Sequence, residues 1–216
     1  MALPPPIHPT PATEEPMSTP TPTGMTKALH FTRDMVSWYP WIDPAEAASA
    51  TPEQAELLAK ITSNHRYFAT LAHDPPALRE RTALFNAIMY GHGGASRADR
   101  ELAATATSRV NGCVYCASVH ARLHAQLSKD ETLIDRLLAA GIDATQPEHE
   151  RVIIDYAVKL TRDPAGLTVA DLAPLRAAGF SDAAILDVNN AAAVFAWANR
   201  LMQSLGEGFV PTADAD

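Results

Sequence analysis

ELAATATSRVNGCVYCASVHARLH, residues 101–124, holds both the architecture and the chemistry of this chain. Apolar residues recur at helical intervals up to Asn111-Gly112 and resume directly after it. Gly is the usual residue just past a helix end, and Ser96 with Asp99 supplies the matching cap upstream. The pattern predicts one helix from about Ser96 to Asn111 and a second from about Cys113 to Leu127. Successive helical residues rotate by about 100°, so Cys113, Cys116, His120 and His124, spaced 3, 4 and 4, fall along one face.

The chain has 216 residues and only two cysteines, at this spacing. In a chain without an export signal such a pair reads as redox-active or metal-binding before it reads as a structural staple. On a helix the two Cα atoms would lie about 5 Å apart, within the range of a disulfide, and His120, one turn beyond Cys116, would bring its ring to the sulfur. Thiolate is the reactive form, favoured by a nearby imidazole or a helix N-terminus. The terminus favours Cys113 and His120 favours Cys116; the residues alone leave that choice open. Zinc fits poorly, because eleven residues of helix separate Cys113 from His124 by about 16 Å, whereas zinc ligands sit about 2 Å from the ion. No metal and no cofactor are expected. His124, His65, His73 and His92 read as structural, and Tyr115 as packing. Glu101 sits in an apolar run, where a buried carboxylate needs a partner; a first-turn acid favoured by the helix dipole is an equal reading.

Outward from this stretch the pattern stays helical. Thr51-Pro52-Glu53-Gln54 opens a helix carrying Leu57, Leu58, Ile61, Phe68 and Leu71 on one face. Asp74-Pro75 ends it or starts the next, which runs through Met89 until Gly91, Gly93 and Gly94 break it. Further helices are expected near 130–139, 147–162 and 168–178, with a long Ala-rich one from Ser181 to near Gly206. No strand-length alternation appears. The fold class is therefore all-α. Residues 1–26, rich in Pro and Thr, read as a disordered tail; 27–50 as an extended aromatic segment packing Trp38, Tyr39 and Trp41; 51–206 as the helical domain; and 207–216 as a C-terminal tail.

Apolar residues make up 47% and charged residues 19%, with a net charge of -8. That balance disfavours a phosphate backbone as partner, and no membrane span or basic amphipathic stretch is evident. A cytoplasmic protein with neither nucleic acid nor membrane as partner is expected.

Glu101, then Cys113-Val114-Tyr115-Cys116, then His120 resembles the alkylhydroperoxidase D-like branch of the carboxymuconolactone decarboxylase superfamily. RELAATATSRVNGCVYC and SDAAILDVNNAAAVFAWANRL are similar to its peroxidase-related members, and the likeness covers about 30–206. The resemblance implies an oligomeric helical bundle, a homo-oligomer of three or six copies, and an (alkyl)hydroperoxide reductase working through a CxxC disulfide cycle. It implies that Cys116 attacks the hydroperoxide, that Cys113 resolves the sulfenic acid, and that His120 and Glu101 relay the proton, with an unidentified dithiol or protein as reductant. Tyr115 stands where well-known members carry His. Two rivals are a carboxymuconolactone decarboxylase-like lyase, which has no need of paired thiols, and a non-enzymatic redox-sensing oligomer.

Overall fold

A computed structural model describes residues 21–61 and 65–212. Its centre is helix α4 (Arg97–Asn111), started by a Ser96/Asp99 capping box and stopped by Gly112 in the left-handed conformation at φ 79°. That conformation suits Gly because other residues pay a Cβ clash there. Every residue from Arg100 to Ser108 is buried, so α4 is wrapped on all sides. Its neighbours are α5 (Val114–Ser128), α7 (Glu148–Arg162) and α9 (Asp182–Ser204). Alanines on α4, α5 and α9 let the backbones approach closely, and Ile134, Leu137, Ile153, Ile154 and Val188 fill the space between them.

The remaining helices, α1 (Pro52–Ala59), α2 (His65–Leu71), α3 (Pro75–Tyr90), α6 (Glu131–Ala140) and α8 (Ala173–Ala177), pack around this centre. The expected caps hold: Thr51 and Gln54 form a capping box, Asp74 caps α3 and Ser181 caps α9. Two expectations are corrected. The single helix drawn through Leu57 and Leu71 is two, because α1 ends at Ala59 with Lys60 as its cap. The helix expected over 168–178 is a 3-10 turn at Val169–Leu172 followed by the short α8.

A small antiparallel sheet completes the fold. Strand β3 (Gly206–Pro211) lies between β1 (Met25–Lys27) and β2 (Ser37–Pro40), pairing Thr26 with Val210 and Trp38 with Gly208. Residues 206–211 were read as the helix end and the start of a tail, and 25–26 as part of a disordered one; each instead supplies a strand. The rest of the tail readings, 1–20 and 213–216, lie outside the described residues. The link between β1 and β2 is fixed to the helices by side chains. Ser118 and Arg122 on α5 donate to the Asp34 carbonyl, both at 2.6 Å, and Arg33 pairs with Glu131 and Asp135 on α6. The chain turns back at Gly206, where a Cβ would collide with the Trp38 ring and the Tyr39 carbonyl. Only Gly permits that approach.

Candidate active site

The cysteines do not share one helix body. Cys113 is the N-cap of α5, its sulfur accepting from the Cys116 amide at 3.4 Å. Cys116 sits in the first turn, and the two sulfurs lie 2.7 Å apart as free thiols. Both are buried in a cluster with Trp38, Tyr67 and Met202. Trp38 donates its indole N–H to the Met202 carbonyl at 2.9 Å and meets Tyr67 edge-on. Burial pushes the Cys116 thiol well above its ordinary value, and the neighbouring Cys113 adds to the rise. Cys113 moves the other way: the hydrogen bond shared with Cys116 lowers it most, against the cost of burial, and the Cys116 amide and Asn199 lower it further. A sulfur at a helix N-terminus gains in the same sense from the orphan N–H groups there.

Asn199, on α9 and fully buried, donates to the Ser108 hydroxyl and accepts from the Asn111 side chain, both at 3.0 Å. It ties the end of α4 to the back of the thiol pair. Nothing in the sequence marked it, because its role depends on α9 crossing α4 at that point.

Glu101 is fully buried on α4. Its two oxygens are divided: Arg97, one turn earlier, donates its Nε to Oε1 at 2.6 Å, and His120 Nδ1 meets Oε2. Burial would raise the Glu101 carboxyl, but His120 and Arg97 together hold it below the usual carboxylate range. The carboxylate therefore has the partners that burial demands. Arg97 was missed in the sequence reading, although its i,i+4 spacing to Glu101 was there to see.

One expectation about His120 is corrected. Its hydrogen bond goes to Glu101 and not to a sulfur, and its ring packs against Phe195 at 4.1 Å between centroids. What links it to Cys116 is a cavity of about 270 Å³ that both line, together with Phe85, Tyr90, Arg97 and Arg81. Cys113 lines a different cavity, of about 210 Å³, beside Trp38, Trp41, Gln203 and the strand β3. Tyr115 borders both, with burial pushing its hydroxyl up to about 12. It is thus part of the site's wall and not packing alone.

His124 is buried and bonded to the Ala98 carbonyl, outside the site. His73 meets the Asp43 carbonyl, His92 is exposed, and the side chain of His65 lies outside the described residues. Among the described residues no three His, Cys, Asp or Glu side chains are grouped as metal ligands, and no helix is long and apolar enough to cross a membrane.

Residues 75–153, which include Glu101, Cys113, Cys116 and His120, are similar to the carboxymuconolactone decarboxylase family. The chain's fold is shared by solved structures of peroxidase-related proteins. A peroxidase-related protein from Silicibacter sp. TM1040 is 28% identical, with a TM-score of 0.64 over 82% of this chain and 95% of that one. A peroxidase-related protein with an alkylhydroperoxidase D core, from Ralstonia eutropha JMP134, is 24% identical, with a TM-score of 0.68 over 82% and 94%. The debrominase Bmp8 shares the fold at 17% identity, with a TM-score of 0.60 over 76% and 89%. No curated protein matches the chain. The shared fold therefore hosts more than one kind of enzyme, so the function of this chain rests on its own site.

Proposed function

We propose that this protein is a thiol-dependent hydroperoxide reductase in which Cys116 attacks the substrate. The observation that carries the reading is the division of the thiols: Cys116 opens on the cavity shared with His120, while Cys113 sits behind it, 2.7 Å away.

The proton leaves Cys116 for the cavity-facing side of the His120 ring, whose other nitrogen is held by Glu101. The Cys116 thiolate attacks the distal peroxide oxygen, the O–O bond breaks, and the substrate leaves as an alkoxide that takes the proton back from His120. Cys116 is now a sulfenic acid. The Cys113 thiolate attacks that sulfur, the S–O bond breaks, and the departing hydroxide takes up the proton that Cys113 released, leaving as water. The sum is ROOH + 2 RSH → ROH + H₂O + RSSR, and an external dithiol restores the pair by exchange.

The opposite pKa directions of the two sulfurs fit this order. Ease of ionisation favours Cys113, but access favours Cys116 as the sulfur a cavity-bound peroxide meets. A depressed Cys113 then serves as the ready nucleophile for the second step. Exposed apolar side chains, Leu84 and Tyr90 on α3 and Leu186 and Trp197 on α9, are available for burial between copies in the homo-oligomer that belongs to this reading, as does the cytoplasmic setting that keeps thiols reduced.

Stopped-flow reaction of reduced protein with cumene hydroperoxide tests it. Wild type should form the Cys113–Cys116 disulfide with release of one alcohol per chain, Cys113→Ser should stop at a sulfenic acid trapped by dimedone, and Cys116→Ser should do neither. A Cys116→Ser protein that still reduces the peroxide at the wild-type rate ends the proposal.

A further inference from the structure

The cavity at Cys116 contains a cation that no carboxylate among the described residues answers. Arg81, on α3, places its guanidinium 3.9 Å from the Phe85 centroid, 5.0 Å from that of Phe68 and 5.4 Å from that of Tyr67. All four residues line the cavity. The other arginine there, Arg97, is matched by Glu101. Among the described residues Arg81 has no ion pair, and the ionisable groups that act on it are Tyr67 and Cys116. Its Nε and the Tyr67 hydroxyl are both buried without a hydrogen-bond partner, and Tyr67 is only 3% exposed.

Arg81 itself is half-buried beside Tyr67, and leaving its Nε and a fully buried hydroxyl short of acceptors is costly. Aromatic rings offset part of that cost by cation–π attraction, but they supply no acceptor for the N–H groups. What the arrangement lacks is an anion with two oxygens, the shape a guanidinium holds by paired hydrogen bonds. Phe195, Val119 and Leu123 give the cavity an apolar wall, while Thr82 and Asn86 add polar groups to its lining.

We propose that this cavity selects small organic substrates that carry a carboxylate, held by Arg81 and Tyr67 while the apolar body lies between the rings toward Cys116. As a statement about turnover this rests on the peroxidase reading; as a statement about binding it does not. The chain's net charge of -8 works against anions at long range, so the preference is local to the cavity.

Phenylacetate and its neutral counterpart phenylacetamide separate the two claims. Their affinities for reduced protein are measured by calorimetry and by protection of Cys116 from iodoacetamide. The acid should bind wild type about tenfold or more tightly than the amide, the gain expected of a charge-assisted hydrogen bond. Arg81→Gln should abolish the preference, Arg81→Lys should keep part of it, and Tyr67→Phe should reduce it. Equal affinities in wild type, or a preference that survives Arg81→Gln, overturn the inference. So does an Arg81→Gln protein that reduces carboxylated and neutral hydroperoxides with the same proportional loss, since Arg81 would then act on the thiolate and not on the substrate. A charge preference in a protein that consumes no hydroperoxide leaves the inference standing and removes the peroxidase reading. Peroxide turnover with no preference does the reverse.

Discussion

The carboxylate and the sulfurs of this site are held by two different kinds of structure. Glu101 belongs to α4, a helix buried on all sides by α5, α7 and α9. Its partner Arg97 lies one turn away on the same helix, and His120 comes from the next one. The sulfurs are enclosed by residues far apart in the chain: Trp38 from β2, Tyr67 from α2 and Met202 from α9. Local geometry positions Glu101, Arg97 and His120, whereas long-range closure sets the environment of the thiols. Stability and thiol chemistry should therefore respond to different mutations.

The largest effect is expected where chemistry is removed and the scaffold is left whole. Cys116→Ser should lower peroxide reduction about 10⁴-fold or more, with a thermal midpoint close to wild type; steady-state peroxide consumption and a thermal melt check both halves. Next is the scaffold. Glu101→Gln leaves Arg97 and His120 facing a neutral amide in a buried site, a change that costs about 3–5 kcal/mol, read by denaturant unfolding. The same variant tests the sign of the pH dependence. The folded Glu101 carboxyl is lowered, so its contribution is complete above the unfolded carboxylate value of about 4.3 and is lost as the pH falls through the folded one. The stability gap between wild type and Glu101→Gln should narrow on acidification below that point; a gap that widens instead contradicts the assignment.

A methylene-rich core position offers a control. Leu137→Ala, far from the thiols on α6, should cost about 2–5 kcal/mol yet leave the iodoacetamide reactivity of the cysteines in folded protein unchanged. The smallest stability effect belongs to the thiol enclosure. Trp38→Phe removes the bond to the Met202 carbonyl, worth about 1 kcal/mol, but should raise the alkylation rate of the pair severalfold by loosening its cover. If Leu137→Ala alters thiol reactivity as much as Trp38→Phe does, the division between scaffold and enclosure fails.

The same division decided what could be read in advance. Helices α4 and α5 were legible because their signals are local: Ser96 and Asp99 at one end, Gly112 at the junction, and apolar residues at helical spacing. The set of Glu101, Cys113, Cys116 and His120 was legible for the same reason, since all four fall within twenty residues. Strand β3 was not, because Gly206-Glu207-Gly208 has poor strand propensity and takes its form from two partners near the other end of the chain. The contact between His120 and Glu101 in place of a sulfur followed from the packing of α4 on α5, which spacing along one helix does not contain. Tyr67, Arg81 and Asn199 were invisible as site residues because each reaches the thiols from a separate helix.

Strand β3 carries a consequence for how the protein is made. The helices that bear the thiols can pair as soon as they are synthesised, yet Trp38 acquires its strand partner Gly208 and its acceptor at Met202 only when residues beyond 200 have been added. Until then the enclosure of the two sulfurs lacks Met202 and the strand that holds Trp38 in place. Closing the sheet is the step that completes the cover over the thiols.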